Sequence, residues 1–165
     1  MSLDLNNLKE QIQTIMEAAN TTTATRDLSS GLQTRVQGIF KINPGRLPIQ
    51  HTQYPYVTCY VDRKRIEPGS IGRDQLTAKR KGEIDVKIVG AVANSVFTTG
   101  IDVDEADNDC ESLMENIEEI LRANVTVNSL TTWSFPDAVT YHNVALDEES
   151  MLRAGVLNLR AHFWY

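Results

Sequence analysis

The pattern of apolar and polar positions is clearest between Asp104 and Asn124. Apolar residues recur there at steps of three and four, which places them on one face of an α-helix. These residues are Ala106, Cys110, Leu113, Met114, Ile117, Ile120 and Leu121. Asp104 is a suitable N-cap, and Asn124 is a suitable residue to end the helix. The sequence therefore predicts a long amphipathic helix that must bury its apolar stripe against another element.

A second amphipathic helix is predicted from Ser2 to Ala19, with Ser2 or Asp4 as its cap. Its apolar stripe consists of Leu5, Leu8, Ile12, Ile15, Met16 and Ala19.

Alternating β-branched and aromatic residues predict strands at 55–61, 83–89, 139–146 and 152–164, with a possible short strand at 34–41. The segment 125–137 reads as irregular, with Trp133, Phe135 and Pro136 against the core. This order of elements indicates a single α+β domain over residues 1–165. We expect an antiparallel β-sheet of four or more strands, with the two helices packed on one face.

Composition narrows the class of protein. The chain has 165 residues and a formal net charge of −6, which argues against a general nucleic-acid binder. No apolar run approaches the roughly 20 residues of a membrane span, and the first residues lack the pattern of a signal peptide, so we expect a cytosolic protein without membrane contact. Cys59 and Cys110 each lie in an apolar pattern and are expected to be buried free thiols.

Charge is segregated along the chain. Residues 102–119 contain nine acids and no base, including carboxylates on the polar face of the long predicted helix at Glu105, Asp109, Glu111, Glu115, Glu118 and Glu119. Residues 63–81 contain seven bases and two acids; the bases are Arg63, Lys64, Arg65, Arg73, Lys79, Arg80 and Lys81. The basic residues lie in a predicted connector, 63–82, that would project from the sheet. Such segregation suits a surface that meets a charged partner, although two solvated faces would look the same.

No motif for catalysis, a metal or a cofactor is present in the sequence. His142 and His162 fall on adjacent predicted strands and could be cross-strand neighbours, but we expect them to be structural or surface residues. Tyr54, Tyr56 and Tyr60 could stack on bases, but we expect them to pack against the sheet. The chain is therefore expected not to be an enzyme, and a small enzyme or metal-dependent domain is the least favoured hypothesis.

The layout of these segments resembles the tail terminator, or tail completion, proteins of long-tailed bacteriophages. The resemblance covers most of the chain. It lies in an opening helix (LNNLKEQIQTIMEAA), a proline-containing lead into a strand (PGRLPIQHTQYPYVTCYVD), a second strand (GEIDVKIVG), an acidic helix (ESLMENIEEILRA) and a closing hairpin (VTYHNVALDEES followed by MLRAGVLNLRAHFWY). It depends on order and spacing, because the family has no catalytic motif to match.

The resemblance implies a structural virion protein of the tail or neck, assembled in the host cytoplasm. Six copies would form a ring that caps the tail tube, stops its polymerisation and docks the tail to the neck. DNA would pass through the ring without specific binding, and no cofactor is implied. Head-closure and other neck proteins are the nearest alternative. A small nucleic-acid-binding module that uses the basic segment is a further alternative.

Mapped onto this chain, the hypothesis places a partner interface at the seven bases of residues 63–81 and at Glu111, Glu115, Glu118 and Glu119. The acidic helix of one copy would face the basic segment of the next copy in a head-to-tail contact.

Overall fold

The computed structural model describes residues 4–46, 53–66, 81–95, 103–145 and 150–164. Within these ranges the chain forms two helices, α1 (Leu5–Ala19) and α2 (Val103–Ala123), and five strands. The strands are β1 (Gly38–Phe40), β2 (Tyr56–Ile66), β3 (Lys81–Ser95), β4 (Trp133–Ala145) and β5 (Ser150–Trp164), and a short 3₁₀ helix, Pro44–Arg46, follows β1. This order of helices and strands confirms the predicted α+β class.

The helix ends are set by side-chain and backbone hydrogen bonds. Asp4 caps α1, because its carboxylate accepts a hydrogen bond from the Asn6 N–H at 2.9 Å. Asn124 ends α2 as predicted: its N–H donates to the Leu121 carbonyl at 3.0 Å, and its side chain donates to the Ile120 carbonyl at 2.8 Å. The prediction of Asp104 as N-cap was wrong, because α2 already begins at Val103. Neither helix is long and apolar enough to cross a membrane.

The strands lie in the order β1-β2-β3-β5-β4. The pairs β2–β3, β3–β5 and β4–β5 are antiparallel, but β1 pairs with β2 in parallel. The predicted antiparallel arrangement of four or more strands therefore holds for β2, β3, β5 and β4, but the parallel β1 makes the sheet as a whole mixed. A parallel pair needs a crossover of about a dozen residues or more, and the segment between Phe40 and Tyr56 is long enough to provide it.

β4 is longer than the sequence predicted. Trp133–Asp137 was expected to be irregular, but the strand begins at Trp133 and accommodates Pro136. The register against β5 shifts between Pro136 and Ala138, and β4 lies at the edge of the sheet. Proline is tolerated at a bulge and on an edge strand, where its missing N–H removes no hydrogen bond between strands.

Both helices pack on the same face of the sheet, as predicted. The apolar stripe of α2 joins that of α1 and the inward residues of β3 and β5 in one buried cluster. Gly90 and Gly155 lie opposite each other on these two central strands. A Cβ atom at Gly155 would overlap Met114 and lie 2.7 Å from its Sδ, and one at Gly90 would lie 2.8 Å from the same sulfur. The absence of both side chains lets α2 approach the sheet closely.

A smaller apolar cluster lies on the other face, where Tyr56, Val89, Ala91 and Ala154 are buried. Tyr54 and Tyr60 pack against this cluster, and the Tyr54 and Tyr56 rings are 5.3 Å apart. The expectation that these three tyrosines pack against the sheet is confirmed.

Cys59 and Cys110 are buried free cysteines, as predicted. Burial raises the pKa of the Cys59 thiol to about 12 and that of Cys110 to about 11. The thiolate is the reactive form of cysteine. Both thiols are therefore expected to be unreactive in the folded protein, because they are buried and because their raised pKa keeps them protonated.

Replacing Gly155 by alanine is expected to lower the free energy of unfolding by about 1–3 kcal/mol, because the new methyl group must displace Met114 in a packed core. Urea denaturation measures the loss. Gly45→Ala is the matched control, since Gly45 is exposed and its substitution is expected to change stability by less than about 0.5 kcal/mol. Equal stability of the two variants would contradict the close approach of α2.

Both thiols are expected to resist an aromatic disulfide reagent at pH 8 in the folded protein and to react fully in denaturant. The rate of modification should follow the unfolding transition, because exposure of each sulfur requires the core to open. Rapid modification of either cysteine in buffer alone would show that its surroundings are open to solvent.

Candidate functional site

The predicted basic connector is shorter than expected. Arg63, Lys64 and Arg65 belong to β2, and Lys81 is the first residue of β3. Arg73, Lys79 and Arg80 lie outside the described residues. The paired ends of β2 and β3, where Ile66 lies opposite Gly82, form what we call the basic end of the sheet. At this end Arg65 is exposed and Lys81 is half-buried.

Arg63 is already engaged within the fold. It lies opposite Asp85, and its Nε and Nη2 atoms donate to Asp85 Oδ2 at 3.1 and 2.8 Å. Asp85 is only 4% exposed, so its charge needs this partner. Burial raises the pKa of this carboxyl, but Arg63 and Arg160 together lower the pKa by more. The pKa of Asp85 therefore lies below its ordinary value. The guanidinium of Arg63 therefore stabilises a buried carboxylate.

Arg160 extends this ion network across the face of the sheet opposite the helices. Its Nε lies 3.3 Å from Glu83 and 3.5 Å from Asp85, and its Nη2 lies 3.2 Å from Asp137. Sequence reasoning missed the network, because its members come from β2, β3, β4 and β5. The alternation of residues along β3 places Asp85 on the side of the strand away from the apolar residues. Only the pairing of the strands shows which cations lie beside its carboxylate.

An aromatic stack lies beside the network. The Trp133 ring is 4.3 Å from His162 and 4.9 Å from Phe135, and all three rings are nearly parallel. Trp133 is 45% exposed, so the prediction that it lies against the core was wrong, while Phe135 is half-buried. The suggested pairing of the two histidines was also wrong: His162 lies opposite Trp133, and His142 lies opposite Ala154.

The acidic face of α2 is exposed at Glu111, Glu115 and Glu119. Glu118 is half-buried and forms an ion pair with Arg122 at 2.5 Å. Asp109, which the sequence placed on this face, is instead buried.

The segment after α1 explains the burial of Asp109. The Asn116 side chain donates to the Leu28 and Ser30 carbonyls at 3.0 and 2.8 Å, which holds this segment against α2. Asp109 accepts a hydrogen bond from the Gln33 N–H at 3.2 Å. Burial raises the pKa of this carboxyl. Helical periodicity does not reveal this contact, because it joins residues 76 positions apart.

α2 runs beside β4 near Tyr141. Burial raises the pKa of this tyrosine, and nearby groups that include Glu111 and Glu115 raise it further. Tyr141 lies opposite Gly155, the glycine beneath Met114, which confirms that the middle of α2 passes this point. Neither Glu111 nor Glu115 forms an ion pair with any residue in the described ranges.

The basic end of the sheet and the acidic middle of α2 are far apart. Lys81 lies opposite Trp164 on β5, whereas Tyr141 lies opposite Gly155. Gly155 and Trp164 are nine positions apart on β5, which corresponds to about 30 Å at roughly 3.3 Å per residue. Glu111 and Glu115 therefore cannot be neutralised by Lys81 of the same chain.

The described residues contain no group of three or more His, Cys, Asp or Glu side chains that could hold a metal ion. What these residues do present is two exposed surfaces of opposite charge, an ion network and an aromatic stack. These features suit binding to another macromolecule.

Replacing Asp85 by asparagine is expected to destabilise the protein at pH 6 by about 1–3 kcal/mol, because Arg63 and Arg160 lose a charged partner. The folded-state pKa of Asp85 lies below its unfolded value of about 3.9. The stabilisation is therefore fully present above that unfolded value and is lost as the pH falls through the folded-state pKa.

Urea denaturation of wild type and Asp85→Asn at pH 6 and pH 3 tests this expectation. The difference between the two proteins should shrink at pH 3, since their other carboxyl groups titrate alike. A difference that is the same at both values would show that the charge of Asp85 does not stabilise the fold.

Comparisons with known proteins assign no family to the chain. No model of a known protein family matches it, and no curated protein matches it.

Proposed function

We propose that this protein is a structural assembly subunit that forms a ring at the end of a bacteriophage tail tube. The ring stops polymerisation of the tube and docks the tail to the neck of the head. The phage assignment comes from the resemblance of the sequence to tail terminator proteins. The structure supports the assembly role through the position of its charged surfaces.

The observation that carries the proposal is the separation of opposite charges. Arg65 and Lys81 lie at the basic end, and Glu111 and Glu115 lie beside Tyr141 about 30 Å away along β5. One chain cannot bring the two surfaces together. Two copies can, if the acidic surface of one meets the basic end of the next.

Such a contact is heterologous, because it joins two different surfaces of the same protein. Heterologous contacts produce closed rings when the rotation between neighbours closes, and open filaments when it does not. A ring that caps a tube needs this head-to-tail arrangement, with one surface left for the tube and another for the neck. A ring of six copies follows from the family resemblance.

The ion network weakens the nucleic-acid alternative. Arg63 already neutralises Asp85, and the Lys64 ammonium lies 5.5 Å from the centre of the Phe163 ring, so at least two of the seven bases are engaged inside the fold. The remaining cations belong to a chain whose formal net charge is −6. A protein partner with acidic residues suits this balance better than a phosphate backbone.

The purified protein is expected to form a ring of about six copies, either alone or when tail-tube protein is added. Light scattering after size exclusion gives the mass, and negative-stain imaging gives the shape. Added during polymerisation of tube protein, it should shorten the tubes and appear at one end of each.

Charge reversal at Arg80 and Lys81 is expected to impair ring formation. The matched control is Arg26→Glu with Arg46→Glu, which makes the same change of charge at exposed positions elsewhere. A protein that stays monomeric with tube protein, leaves tube length unchanged and is retained on DNA at low salt would favour the nucleic-acid-binding module. Rings that bind neck protein but leave tube growth unchanged would favour a neck component.

A further inference from the structure

One end of the sheet carries both tryptophans of the chain on its surface. Trp164 is 47% exposed, and Trp133 is exposed to almost the same extent. His162 and Trp164 are two positions apart on β5, so they share a face of the sheet, and Trp133 lies opposite His162 on β4. Phe163 between them belongs to the cluster under the helices, so this is the face away from the helices. With Phe135 of the stack, these residues form what we call the aromatic surface.

Cations border the aromatic surface. Lys81 lies opposite Trp164. Arg65 lies opposite Glu83, which in turn lies opposite His162. A single exposed apolar side chain is ordinary, but two tryptophans and a basic border on one surface are typical of the residues that dominate protein interfaces.

The rings of this surface stack on one another. Trp133 lies 4.3 Å from His162 and 4.9 Å from Phe135, with interplanar angles of 13° and 14°. These neighbours cover ring area that a nucleobase would need for stacking. Glu83 and Asp137 also place carboxylates beside the stack, which disfavours a phosphate backbone. A protein partner therefore suits the aromatic surface better than a single strand of nucleic acid.

A second surface of the same chain has the complementary properties. Tyr141, Val144 and Met151 are exposed and lie toward the other end of the β4–β5 pair. Glu111 and Glu115 of α2 act on Tyr141 and are exposed or half-exposed carboxylates without an ion-pair partner in the described ranges. This acidic surface combines apolar side chains with negative charge, whereas the aromatic surface combines them with positive charge.

We propose that the aromatic surface of one copy docks on the acidic surface of a second copy, with Trp133 and Trp164 as its anchors. This inference rests on the proposed self-assembly and specifies its apolar contact. His162 and Gly155, which lie opposite Trp133 and Tyr141, are seven positions or about 23 Å apart on β5, so the two surfaces of one chain cannot meet. Docking between two copies buries the apolar residues of both surfaces and pairs their opposite charges.

A symmetric contact between two aromatic surfaces fits the charges less well. It would bring Arg65 and Lys81 of both copies together around one two-fold axis. Like charges brought together in this way are destabilising. The head-to-tail contact instead places these cations near the carboxylates of the acidic surface.

The fluorescence of the wild-type chain tests the docking without any substitution. Trp133 and Trp164 are its only tryptophans, so the tryptophan emission reports on this surface alone. As the chain associates with rising concentration, the emission maximum should move to shorter wavelength, because the indole rings leave water. Light scattering at the same concentrations gives the mass. Association with unchanged emission would overturn the inference, while leaving a ring and the proposed function possible.

A mixture of two variants tests which surfaces meet. The first variant carries Trp133→Ala and Trp164→Ala and contains no tryptophan. The second carries Val144→Ser and Met151→Ser and keeps both tryptophans. Each variant alone should associate roughly tenfold or more weakly than wild type, because one surface of every contact has lost its apolar side chains. The equimolar mixture should form pairs of one copy each, since each variant supplies the surface that the other lacks. The emission of the second variant should then shift as in wild type.

The matched control is Ile42→Ala. Ile42 is an exposed apolar residue beside β1, at the other margin of the sheet, where its N–H donates to the Thr58 side chain. Truncating it should leave association within about twofold of wild type and the emission shift unchanged. Circular dichroism and urea denaturation establish that each variant is folded. If the double tryptophan variant is unstable, Trp164→Ala, which leaves the stack intact, takes its place and the mass is the readout.

The remaining outcomes separate this inference from the proposed function. A wild-type protein that stays monomeric at every concentration and salt, or variants that do not pair in the mixture, overturns the inference. If tube growth still stops in either case, the proposed function stands. If the variants pair but wild type leaves tube growth unchanged, the contact stands and the proposed function fails. Quenching of the emission by a single-stranded oligonucleotide, with no association of the protein, overturns the inference in favour of a nucleic-acid partner.

Discussion

The close approach of α2 to the two central strands is the contact on which the rest of the structure depends. Gly90 and Gly155 face each other on β3 and β5, and Met114 occupies the space that their side chains would need. This approach buries the apolar stripe of the helix and directs Glu111 and Glu115 to solvent. It also holds α2 beside β4, so that an acidic surface lies along a strand edge.

Both helices lie on one face of the sheet, so the other face is stabilised by different contacts. A row of charged residues crosses that face, and Asp85 within it is almost fully buried. Arg63 and Arg160 offset the cost of burying this carboxylate. From the sequence, Arg63 appears as part of a basic surface that a partner would meet. In the structure it stabilises the fold, which reduces the basic surface that remains for binding.

The two margins of the sheet differ in a way that suits directional assembly. β1 is short and is contacted by Gln13 of α1, while the second half of β4 presents an uncharged backbone edge beside carboxylates. The proposed function links the acidic surface beside this edge to the basic end of a neighbouring copy. Because the two surfaces differ, such contacts would give the assembly a direction, as a cap with two different sides requires.

The sequence by itself determined the existence and type of the main elements. Helical periodicity identified both amphipathic helices, because an apolar stripe of this kind is stable only when it is buried on one side. Alternation identified the four main strands, and the positions of Cys59 and Cys110 indicated their burial. These are local properties of the chain, so a single sequence carries them.

The tertiary structure alone decided the order, direction and neighbours of the strands. The parallel pairing of β1, the partner of Arg63, the burial of Asp109 and the exposure of Trp133 all differ from what local patterns indicated. Each depends on residues far apart in the chain, and strand pairing is set by packing over the whole sheet rather than by the propensity of any one segment. The same physical reason explains why the open β4 edge and the acids beside it could be recognised only in the folded protein.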